Sequence, residues 1–162
     1  MKNLKKSHIV LVAVSVLILL GCIGMSLFLL FSNYQTVRLY KQAQGNFLLG
    51  DPESLRLAEA RLLQVISKDN DNEGAYSMLG EIAGKQKVYP QQVYYCYMAH
   101  RLNPLSEGNK EKYIRSLCFA RYFDRLENFL SRQGSLPDKF KQILFYAAGR
   151  NGNIKKYKLQ LE

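Results

Sequence analysis

Two histidines, three cysteines and one acidic turn are the places where this 162-residue chain could hold reactive chemistry. Catalysis needs a nucleophile, a base or a metal held together in a pocket. His8 lies in a short basic tail, and His100 stands alone in an amphipathic segment with no partner suggesting a triad. Cys22 falls in an apolar run, and Cys96 and Cys118 each sit in an amphipathic segment. There is no CxxC and no metal-ligand spacing, so these thiols are expected to behave as small apolar side chains. Cys96 and Cys118 could pair only if the fold brings them together in an oxidising compartment. Asp69, Asp71 and Glu73 alternate with Asn70 and Asn72, which faintly resembles the start of a calcium loop. The loop's glycine and its terminal glutamate are missing from the required positions. No glycine-rich phosphate loop is present. The expectation is a protein with no catalytic residue, no cofactor and no metal, and so not an enzyme.

Binding chemistry is better represented. The chain has 11 tyrosines, 8 phenylalanines and no tryptophan. Tyr89, Tyr94, Tyr95 and Tyr97 crowd one predicted helix and cannot all face inward. Tyrosine combines apolar area with a polar tip, which suits a binding surface. Tyr94 and Tyr95 are therefore candidate partner-binding residues. Basic residues also cluster: Lys110, Lys112, Arg115, Arg121, Arg125 and Arg132 share one predicted hairpin, and Lys155, Lys156 and Lys158 follow near the C-terminal end. A solvated basic face would account for them equally.

The formal charge is +10, from 23 Lys and Arg against 13 Asp and Glu. A basic exterior can face anionic lipid, an acidic protein or nucleic acid. Nucleic-acid binding would call for a recognisable module, and the sequence has none. Membrane lipid and a protein partner of acidic character are the expected contacts.

The element that must position all of this is Ile9 to Phe31, a run with no charged residue. As a helix it would reach roughly 35 Å, enough to cross a bilayer core with some tilt. In lipid every backbone polar group must be satisfied internally, so the run is predicted to be helical. Residues 1–8 then form a basic tail and residues 32–162 the remaining domain. Lys2, Lys5 and Lys6 precede the run, while only Arg38 and Lys41 closely follow it. The positive-inside bias predicts a cytoplasmic N-terminus and an extracytoplasmic C-terminal domain, periplasmic in a bacterium. An alternative is a cleaved leader: Leu19-Leu20-Gly21-Cys22 resembles a lipobox, with Cys22 as the lipidated residue. Against cleavage, Ile23 to Phe31 stays apolar, as an uncut signal-anchor would.

Beyond the run the sequence repeats. Asn70, Pro104 and Pro137 each close one amphipathic segment and open the next, 34 and 33 residues apart. In the clearest unit Tyr76, Leu79, Gly80 and Ala83 line one face of a first helix. Gly84-Lys85 begins its break, and Pro90 opens a second helix carrying Val93, Cys96 and Ala99. The unit before it has Asp51 as N-cap, Pro52 at the first helical position, and the stripe Leu55, Ala58, Leu62, Val65. Tyr113, Ile114 and Leu117 mark a further first helix. Asp124 and Glu127 have capping-box spacing for its partner, and Gly134 suits that helix's C-terminal cap. Phe140, Leu144 and Ala147 mark another helix, and Ile154, Tyr157 and Leu159 begin a last one.

Tyr76, Leu79-Gly80, Ala83, Cys96, Ala99 and Pro104 resemble a tetratricopeptide repeat. Gln92 stands where that family usually has alanine, and Cys96 where it prefers an aromatic. The resemblance implies an all-α fold: an N-terminal transmembrane helix followed by an α-solenoid of about three to four helical hairpins. An ordinary helical bundle would use similar segments. In the tetratricopeptide family first helices line the groove, which would turn Lys112 and Arg115 toward a ligand. The family's carboxylate-clamp set is not reproduced. The function expected is a membrane-anchored adaptor or scaffold serving envelope assembly, secretion or chaperone complexes. The alternatives are a structural subunit of a membrane complex and a lipoprotein with the same domain. The apolar last segment would also suit self-association through the C-terminal repeat.

Overall fold

The computed structural model describes residues 2–133 and 136–153, with side chains from Val14 onward. These residues form seven α-helices and no strand: α1 (Lys2–Leu49), α2 (Pro52–Lys68), α3 (Glu73–Lys85), α4 (Tyr89–Leu102), α5 (Glu107–Phe119), α6 (Phe123–Ser131) and α7 (Asp138–Arg150).

The apolar run does not end where the domain begins. Instead α1 continues for 48 residues as one helix. Between Ser32 and Gln44 there is neither proline nor glycine to interrupt it, and Gly45, met by nothing within 4 Å of a built Cβ, leaves it unbroken. Small polar side chains are satisfied along the way: Ser26 donates to the Cys22 carbonyl at 2.9 Å and Thr36 to that of Ser32 at 3.1 Å. The helix is long and apolar enough to cross a membrane, and none of its most apolar window is buried inside the protein. Its second part changes character, burying Ala43 completely and packing Leu39, Tyr40 and Phe47 on α2 and α3.

Local chemistry sets the hairpins. Asp51 accepts from the Ser54 N–H at 2.9 Å and Pro52 starts α2, as the sequence predicts. That carboxyl is held below its ordinary value by its bonds to Ser54. Leu55, Ala58, Leu62 and Val65 are buried against α1 and α3. Helix α3 buries Tyr76, Leu79, Gly80 and Ala83, and α4 buries Val93, Cys96 and Ala99. A second core joins α4 to α7 through Ile114, Leu117, Leu126, Leu130, Phe140 and Leu144.

Equivalent backbone geometry returns after 34 residues. Asn72 and Ser106 cap α3 and α5, each through a side-chain oxygen bonded to a backbone N–H three residues on. Lys87 and Arg121 both take positive φ, 61° and 58°, after α3 and α5. In each case the next N–H reaches back five residues, Val88 to Ala83 and Tyr122 to Leu117, closing a Schellman-type turn. Gly50 and Gly152 play the left-handed part after α1 and α7.

Two sequence expectations change. Gly84 lies inside α3, and the chain turns only at Gln86–Val88. A Cβ on Gly84 would stand 2.6 Å from the Gln92 amide nitrogen. The glycine is therefore the room that buried Gln92 occupies, not a helix break. Asp124 and Glu127 do not form a capping box, because α6 starts two residues earlier than that box requires, capped by Tyr122 without a side-chain bond. Glu127 instead turns inward to accept from Asn151 and Asn153 at 2.7 and 3.1 Å. Gly134 and the segment Ile154–Leu159 lie outside the described residues. Cys96 and Cys118 are free thiols, and burial pushes Cys96 up to about 11.

Odd-numbered helices are tied to one another by polar links. Glu73 accepts from Asn103 and from buried Asn109, Glu81 pairs with Lys112, and Glu111 pairs with Lys139 at 3.2 Å. Exposed pairs of this kind contribute about 0–1 kcal/mol each.

Two substitutions test this packing by thermal unfolding in detergent. A Cβ on Gly80 would lie 2.7 Å from the Cys96 sulfur, so Gly80→Val should destabilise the domain by about 3 kcal/mol. Arg121→Gly relieves a left-handed backbone and should raise stability by about 1 kcal/mol.

Candidate functional site

An aromatic trough lies where α4, α5 and α6 meet. Two adjoining hollows of about 460 and 420 Å³ share Tyr97, Tyr113 and Arg125. The first extends to Pro90, Tyr94 and Tyr122, and the second to Asn128, Phe129 and Arg132. Helix geometry explains the lining. Arg125, Asn128, Phe129 and Arg132 follow one another at three- and four-residue spacing, so they share one face of α6 and its cap.

The rings support one another. Tyr113 meets Phe129 edge-on at 5.0 Å and Tyr97 at 5.6 Å. His100 stacks on Tyr113 at 6.1 Å and meets Phe129 edge-on at 5.4 Å. Tyr113 is buried, which pushes its phenol above the ordinary value, whereas Tyr94 and Tyr97 remain exposed. The Arg125 guanidinium lies 5.2 Å from the Tyr122 ring. Among the described residues neither Arg125 nor Arg132 has a carboxylate within ion-pair distance. The trough thus offers aromatic faces beside two cations that no described carboxylate answers, suited to a carboxylate next to an apolar group.

The candidates named from sequence do not meet in one place. Tyr94 lines the trough. Tyr95 turns between α3 and α2, packs on both neighbouring cores, and touches Tyr94 edge-on at 5.4 Å. Burial holds its phenol above the ordinary value. Lys112 lies in a separate hollow among the odd-numbered helices, with Tyr40, Glu73 and Met78. There it pairs with Glu81 and donates to Ser77 Oγ at 2.7 Å, so its charge is already answered. Arg115 is exposed and pairs loosely with Glu111 at 3.5 Å. Cys22 is exposed on α1.

The acidic turn is used structurally. Asp69 accepts from the Asp71 N–H and the Asn72 side chain, Asn72 caps α3, and Glu73 binds Asn103 and Asn109. Among the described residues no three His, Cys, Asp or Glu side chains gather as a metal site would need.

Sequence reasoning placed Arg125 and Arg132 in a basic cluster but did not single them out. Their three- and four-residue stripe with Asn128 and Phe129 was the available signal. That the stripe faces Tyr97 and Tyr113 depends on how α6 packs. No protein-family model matches the chain, and no curated protein matches it.

His100 supplies a test. Burial and nearby Lys110 hold its pKa below the usual 6.5, and its Nδ1 is buried without a partner. The neutral form is favoured in the folded state. The associated stability is present above pH 6.5 and is lost as pH falls toward the lowered folded value. Denaturant unfolding should therefore show a drop in midpoint on acidification below this pH, and His100→Phe should flatten that part of the profile.

Proposed function

We propose that this chain is a membrane-anchored adaptor whose tetratricopeptide-like helical domain holds an acidic segment of a partner protein in the aromatic trough. Backbone geometry recurring after 34 residues supports the repeat reading. The unburied apolar stretch of α1 supports the anchor. The distribution of Lys2, Lys5 and Lys6 against Arg38 and Lys41 supports a cytoplasmic N-terminus with the domain on the other side. The role is scaffolding, without chemistry of its own.

The observation that carries the reading is the pairing of exposed tyrosines with Arg125 and Arg132, neither of which has an ion-pair partner among the described residues. Cations left unanswered beside aromatic faces are poised for a carboxylate brought by another chain. Lys112 and Arg115 already have carboxylates of their own and contribute less.

Crosslinking and pull-down from native membranes, with the intact protein, tests this. The double variant Arg125→Glu/Arg132→Glu should weaken partner recovery by roughly tenfold or more, while Arg115→Glu should change it little. Equal recovery from wild type and the double variant would overturn the trough as the contact. Recovery of only further copies of the chain, indifferent to these changes, would favour a structural subunit of a membrane complex.

A further inference from the structure

The continuity of α1 fixes how the domain stands above the membrane, and one turn is placed where it would touch the lipid. This rests on the reading of α1 as the anchor. With Phe31 at the end of the apolar run, Gln35 stands roughly 6 Å further along the helix. The headgroup layer on each side of a bilayer is about 5–8 Å deep. Lys68, at the end of α2, donates to Gln35 at 3.0 Å, so the α2–α3 turn lies at headgroup height. Helix α3 starts there, with Asn72 sharing a hollow with Ser32 and Thr36. It runs away from the membrane, and Lys85 at its end sits 4.5 Å over the Phe47 ring. Helix α4 returns, and Asn103 just beyond it donates to Glu73 at 3.1 Å. The α4–α5 turn that follows is therefore level with the α2–α3 turn and points the same way.

At the tip of that turn is Leu105, 93% exposed, the highest value among the large hydrophobic residues described. Among the described residues nothing covers it. Charges near the edge balance: Lys41, Lys68, Arg101 and Lys110 stand against Asp69, Asp71, Glu73 and Glu107. The edge thus carries no strong preference for anionic lipid, and the apolar side chain is its main asset. We infer that the α4–α5 turn is a second membrane contact, with Leu105 inserted in the interfacial layer of a zwitterionic bilayer while α1 spans it. A single apolar side chain would not bind a membrane alone. Held at the right height by α1, it is brought to the lipid without loss of a free partner's entropy, and it restricts the tilt of the domain.

The chain has no tryptophan, so a single one introduced is a clean reporter. Full-length Leu105→Trp, Leu48→Trp and Phe28→Trp would be reconstituted in phosphatidylcholine vesicles with and without acyl-brominated lipid. Leu48 is a fair comparison because it is also an exposed leucine but lies at the opposite end of the domain. The expected result is blue-shifted, quenched emission at positions 28 and 105, and emission at 48 that stays red and unquenched. Quenching at 28 with position 105 as aqueous as 48 would overturn the contact, including the case in which Leu105 is reserved for a protein partner. Equal quenching at 48 and 105 would overturn the upright pose. Loss of quenching at 28 would overturn the anchor itself and the contact with it.

Discussion

Everything in this molecule hangs on one helix with two unlike halves. The apolar part of α1 has no protein around it, while the later part is a wall of the first core. A joint between an anchor and a domain is usually a loop, and loops let domains drift. Here the helix runs unbroken from its apolar part into the first core, so the orientation of the first hairpin is inherited from that apolar part. Each later hairpin then inherits its orientation from the one before, through the shared cores and the links between odd-numbered helices.

Those links differ in what they provide. Glu81 with Lys112 and Glu111 with Lys139 are partly exposed, and such pairs add little stability. They are better understood as markers of register, each tying one odd helix to the next. Asn109 is different: it is buried, and it donates to both Glu73 and the Ala99 carbonyl. Removing it would strand acceptors away from water, which costs about 1–3 kcal/mol.

Much of the fold was legible in the sequence because apolar spacing and capping chemistry are local. The stripe Leu55, Ala58, Leu62, Val65, the Asp51-Pro52 start and the close approach at Gly80 all behave as their residue types demand. The failures share a cause, which is that a side chain's partner lay elsewhere in the chain. Gly84 is read as a break by propensity, but Gln92 from the next helix fills the space beside it. Glu127 has capping-box spacing, but Asn151 and Asn153 draw it inward. Lys87 and Arg121 occupy left-handed positions where glycine would be expected, so those turns carried no local signal. The candidate site was half visible: Tyr94 was named, but the stripe that faces its trough became meaningful only once α6 was in place.

An unbroken helix also makes direction a matter of counting. Each residue of an α-helix turns the chain by about 100° and advances it by about 1.5 Å. One residue added or lost between Phe31 and Leu39 would swing the whole domain around the axis of α1 by over a quarter-turn while moving it along that axis by only about 1.5 Å. The compass bearing of the trough, relative to the apolar part of α1, is thus written in the length of the stretch that joins that part to the domain. Two segments that never touch are geared together, and the gear ratio is the pitch of the helix.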